Sequence, residues 1–103
     1  VNNEQAESSV ITGLFKFGLE GYNEVAHLVT PESFMDDTNQ IIFRCAQEIF
    51  KDNPDSKIDI SLLKLNASKL GYARFFDGDD VKSYIKAIRK DDVEYENLHK
   101  SAG

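Results

Sequence analysis

The chain has 103 residues, 41% of them hydrophobic and 29% charged, with a formal net charge of −6. This is enough chain for one ordinary globular domain with its own core, and the mixture is not that of a disordered segment. No run approaches the roughly 18 apolar residues of a membrane span, and one cysteine, Cys45, excludes an internal disulfide or a CxxC metal site.

The charge is unevenly spread. Residues 1–52 hold nine acids and three bases, whereas residues 53–103 hold nine of each. An acidic first half is a poor surface for gripping phosphates, and the bases Lys82, Lys86, Arg89 and Lys90 are matched by nearby acids. The N-terminal "VNNEQAESS" has neither a basic nor an apolar region of the signal-peptide kind, and the use of cysteine fits a reducing, cytoplasmic setting. A start at Val1 and a helical pattern still open at residue 103 suggest a piece of a longer protein.

Ala6, Val10, Ile11, Leu14, Phe15 and Leu19 recur at helical spacing and predict a first helix ending near Gly18 and Gly21. "YNEVAHLV" predicts a second, with Tyr22, Val25, Ala26 and Val29 on one side. Thr30-Pro31 is a helix-start signal, and "PESF" reads as a single turn that delivers Phe34 to the core. Asp37 is the expected cap of the next helix, with Gln40 reaching back in a capping box; Ile42, Cys45, Ala46, Ile49 and Phe50 form its apolar face. "KDNPDS" should end it.

Asp59 is the next expected cap, followed by Ile60, Leu63, Ala67 and Leu70 and closed at Gly71. "YARFFDGDD" reads as an aromatic turn. Asp79 and Asp80 then open a helix whose Val81, Tyr84, Ile85 and Ile88 face inward, with bases at its C-terminal end where the helix dipole favours them. Asp91 and Glu94 suggest one further start, and Tyr95, Leu98 and Ala102 begin another stripe. No alternating strand pattern exceeds three or four residues. The expected fold is all-α: a small orthogonal bundle of about five helices over residues 3–76, leading at 77–103 into the start of a helical hairpin.

The chemistry-bearing residues are few. No GxxxxGK[ST] loop is present among the six glycines, and "DNPDSKIDISLL" has Pro54 at the third ligand position of a calcium loop and lacks its central glycine. "DGDD" reads as a turn and cap. His27 and His99 stand apart, each without a partner at ligand spacing, and Cys45 lies on an inward helix face, as a small core thiol does. No catalytic, cofactor or metal residue is assigned. Phe15, Phe34, Phe43 and Phe50 read as core; Tyr84, Ile88, Tyr95 and Leu98, near the open end, are the candidate assembly or partner surface.

The segments "EQAESSVITGLF", "NEVAHLVTPESFMDDTNQIIFRCAQEIF" and "KIDISLLKLNASKLG" together resemble the N-terminal domain of DnaB-type replicative DNA helicases. Glu4, Leu14, Val25, Leu28, Pro31, Glu32, Phe34, Ile42, Phe43, Ile49, Asp59 and Leu70 fall on matching places, over roughly residues 3–71. Asn39 stands where that family usually has His, and Met35 where an aromatic is common, as in a divergent member of phage or plasmid type. The resemblance implies a non-catalytic helical domain in the N-terminal collar of a ring hexamer, a trimer of dimers that docks primase and, in some systems, a loader. ATP and Mg would belong to a RecA-like ATPase domain elsewhere in the parent protein, and DNA would pass through the full ring. Two other readings compete: the helicase-binding C-terminal domain of a primase, which has a similar helical layout, and a small helical interaction or DNA-binding module.

Overall fold

The computed structural model describes residues 4–89. It contains helices α1 (Glu4–Phe17), α2 (Leu19–Ala26), α3 (Asp37–Asp52) and α4 (Ile60–Leu70), with short 3₁₀ turns at Pro31–Ser33 and Phe75–Asp77. A fifth helix, α5, occupies 79–89. The fold is all-α, with no strand among the described residues, and none of the described helices is long and apolar enough to cross a membrane.

α1 packs against α2 and α3, and α3 against α4, so that α3 forms the centre. Its face of Ile42, Phe43, Cys45, Ala46, Ile49 and Phe50 is buried as the spacing predicts. Phe43 is fully enclosed, between Phe34 at 5.1 Å and Tyr22 at 5.6 Å between ring centroids. Each such ring removed from water stabilises the fold by about 1.5–3 kcal/mol. The turn at Pro31–Ser33 does deliver Phe34 to this centre, where it is 4% exposed. Val81, Ile85 and Ile88 of α5 join the same core.

Four expectations are corrected. On α1, Ala6 is exposed and the carboxylate of Glu7 takes the inward place, because the buried phase of the helix runs 7, 11, 14 and 15. Leu19 lies beyond a break at Gly18, whose φ of 59° ends α1 before α2 begins. α3 is capped by Asp36, not Asp37: Asp36 has extended backbone angles, and its Oδ1 accepts the N–H groups of Thr38 at 2.8 Å and Asn39 at 3.2 Å. Gln40 makes no capping box; its side-chain amide donates instead to the carbonyl of Pro31 at 2.9 Å. Two expected caps of α4 are in place, with Asp59 accepting from the N–H of Leu62 at 2.8 Å and Gly71 closing the helix at φ 92°, while the start expected at Asp91 and Glu94 lies outside the described residues.

The α1–α2 corner depends on an absence of side chain. A Cβ on Gly21 would lie 2.6 Å from the carbonyl oxygen of Gly13, so the two helices approach here as only glycine permits. The "YARFFDGDD" turn contributes more than its sequence suggests. Phe76 is fully buried, edge-on to Phe75 at 5.2 Å, and ties the end of α4 to the start of α5.

Candidate functional site

A polar cluster joins α1, α3 and α5. Glu7, 1% exposed, projects from α1 toward the junction that precedes α3. Its Oε2 accepts the N–H of Met35 at 2.9 Å, and its Oε1 accepts the N–H of Asp36 at 3.2 Å and the side-chain amide of Asn39 at 3.1 Å. Burial alone would raise the Glu7 pKa. The N–H of Met35, the Asn39 amide and the N–H of Asp36 outweigh it and hold the carboxyl below the usual glutamate value. Asn39, itself 3% exposed, accepts at Oδ1 a hydrogen bond from the Tyr84 hydroxyl. Since that bond uses the phenolic proton, the Ser8 hydroxyl donates to the Tyr84 oxygen, 3.1 Å away. Burial pushes the Tyr84 pKa up against the lowering effect of these bonds, so the phenol keeps its proton.

The cluster fixes the pose of α5. Tyr84, expected at a partner surface, is half-buried and its hydroxyl is turned into the bonds just described. Ile88, expected on the same surface, is 3% exposed and lies in the core, covered within the chain because it shares the inward face with Val81 and Ile85. Tyr95 and Leu98 lie outside the described residues. Glu7 carries no signal of its own in the sequence; an acid at the inward phase of an amphipathic helix is the only trace. Asn39 does carry one, as the departure from the histidine usual in the resembled family.

Exposed apolar side chains occur at several places on the described surface, Phe17 and Leu65 among them, each about half exposed. Beside α5 runs an open groove of about 320 Å³ with Ile60 and Ile85 in it and Lys82, Lys86 and Arg89 along it. Elsewhere, Leu28 and Met35 are 72% and 76% exposed and bracket the Pro31–Ser33 turn in sequence. Acids neighbour Met35 in sequence: Glu32, Asp36 and Asp37 are all exposed, with Glu32 paired to Arg44 at 3.1 Å.

Among the described residues, no group of three His, Cys, Asp or Glu side chains is gathered to hold a metal. His27 is exposed, and His99 lies outside the described residues. Cys45 is fully buried, and burial, with the nearby Glu48 carboxylate adding to it, pushes its thiol up to about 12. The described residues include a basic-edged apolar groove and an exposed methionine with acids next to it in sequence, both carried on a packed helical core.

Neither the curated proteins nor the solved structures supply a significant match to this chain. The sequence profile of the DnaB-like helicase N-terminal domain, in contrast, matches residues 1–90. That match takes in α1 to α5 and both 3₁₀ turns, beyond the residues 3–71 that carry the resemblance in sequence. This chain belongs to the DnaB-like helicase N-terminal domain family.

Proposed function

We propose that the chain acts as the non-catalytic N-terminal collar domain of a hexameric replicative DNA helicase in the cytoplasm, mediating subunit assembly and the docking of primase or a helicase loader. The observation that carries this reading is the family match over residues 1–90. The parent subunit would supply ATP- and Mg-dependent unwinding from a separate ATPase domain, and DNA would thread the assembled ring. A domain with its own core, an acidic first half and an α5 held by core and hydrogen bonds suits this scaffolding role.

Within it, the four candidate surface residues divide. Tyr84 and Ile88 hold α5 in place through the polar cluster and the core, while Tyr95 and Leu98 carry the contact between subunits. In the helicase subunit, Leu98→Asp then weakens dimer and hexamer formation while the helical core stays folded, because a buried leucine contributes about 1.5–3 kcal/mol and a charge in its place adds a desolvation cost. Sedimentation velocity of wild type and variant measures this, with circular dichroism as the folding control. Identical assembly of the two proteins would remove Leu98 from the interface.

A further inference from the structure

The groove beside α5 and the projection at Met35 are opposite in character. Lys82, Lys86 and Arg89 sit on one helix at spacings of four and three residues, a row of cations about 10 Å long at 1.5 Å rise per residue. Ile60 and Ile85 lie in the groove that these bases line. In a chain of net charge −6, such a row beside an apolar groove selects for an apolar side chain flanked by carboxylates. Met35 presents that combination, 76% exposed and flanked in sequence by the exposed Asp37, by Asp36, one of whose oxygens caps α3, and by Glu32, which also pairs with Arg44. Its backbone is already fixed: the Met35 N–H is held by Glu7 at 2.9 Å, and Asp36 is held by its capping bonds. Methionine is also the side chain best able to adapt to an irregular apolar groove. Its exposure shows that Met35 does not fill the groove of its own chain.

We infer that a second copy of this chain seats its Met35 projection in the Ile60–Ile85 groove, with its acids against Lys82, Lys86 and Arg89. The contact is head to tail, because the two surfaces differ. Such a contact closes into a ring when the rotation between copies permits, and otherwise extends. It rests on the assembly reading above and adds to it a second, electrostatic interface, independent of Leu98. Alone the contact is weak, since a small patch must overcome the cost of association; within an assembly held at other points it acts at high effective concentration.

Mixing tests it. Met35→Asp removes the projection and leaves the groove; Lys86→Glu with Arg89→Glu reverses the groove and leaves the projection. All three positions are exposed, and circular dichroism checks that each variant folds. By sedimentation equilibrium on the 103-residue chain at low salt and up to high micromolar concentration, the wild type should rise above monomer mass and fall back as salt is added. Each variant alone should associate at least about tenfold more weakly. An equimolar mixture of the two variants should form a one-to-one dimer that does not grow, since only one competent groove and one competent projection are present per pair. A wild type that stays monomeric, a variant that associates like wild type, or a mixture that remains monomeric would each overturn the proposal. So would a Lys86→Glu, Arg89→Glu variant that melts at lower temperature with no change in mass, because the chain's own residues 90–103 would then be the groove's occupant. Leu98→Asp leaves this head-to-tail association unchanged; loss of it there, with the mixed dimer absent, would assign all assembly to the Leu98 surface.

Discussion

Two junctions shape this domain, and they are held by different physics. At the α1–α2 corner the chain turns because atoms are missing: Gly18 takes a φ of 59°, and Gly21 lets the helices meet at the Gly13 carbonyl. At the Phe34–Asp37 junction the chain turns because polar groups are present, with Glu7 accepting two backbone N–H groups and the Asn39 amide while Asp36 caps α3. The first corner is steric and indifferent to solvent conditions. The second is electrostatic, and through Asn39 and Tyr84 it extends to α5, so its integrity decides how α5 is presented.

The contrast can be broken most forcefully at Glu7. Glu7→Ala leaves three donors without their acceptor in a site 1% exposed, at about 1–3 kcal/mol per unsatisfied group, partly relieved by water; a net loss of about 3–4 kcal/mol is expected. Urea unfolding measures it, and a loss below about 1 kcal/mol would show that the junction does not depend on this carboxylate. At the steric corner, Gly21→Ala forces a Cβ against the Gly13 carbonyl, 2.6 Å away, and should cost about 2 kcal/mol, within the range for overpacking. Equal stability of wild type and variant would mean that α1 and α2 separate freely.

The smallest effect separates the junctions by pH. The folded-state pKa of Glu7 is lowered, so in acid the unfolded chain binds more protons than the folded one. The stabilisation is therefore complete above the ordinary glutamate value of 4.5 and is lost as pH falls through the lower, folded value. Thermal melts from pH 6 downward should show a shallower acid loss in Glu7→Gln than in wild type. Gly21→Ala should keep the wild-type slope at lower stability. A Glu7→Gln variant with the wild-type slope would place the acid sensitivity in other carboxylates.

What could be read in advance follows the same division. The apolar face of α3, the insertion of Phe34, the Asp59 cap and the Gly71 stop all express local rules, in which a residue's neighbours three or four positions away decide its role. The exceptions require knowledge across the chain. Asp36 and Asp37 are chemically equal as caps, and the choice depends on where the backbone leaves its extended conformation after Phe34. The phase of α1 turns position 7 inward, but a carboxylate is tolerated there because its partners arrive from residues 35, 36 and 39, which no periodicity in α1 can announce. Phe76 sits in a turn that packs on α4 and is buried in the core it shares with distant residues such as Ile11 and Phe43, which local sequence cannot announce. The inward face of α5 was legible; that Tyr84 would end in a hydrogen-bonded cluster was not, because its partners Ser8 and Asn39 are 76 and 45 residues away in sequence.

Cys45 gives the molecule a built-in clock. It is the only thiol in the chain, sits at the middle of the central helix with no exposed surface, and its ionisation is pushed up to about 12. Thiolate is the reactive form, so an alkylating reagent at neutral pH meets neither access nor nucleophile while α3 stays packed. The pace at which the thiol is consumed thus reports how often the centre of the domain opens, with no label introduced and no residue changed.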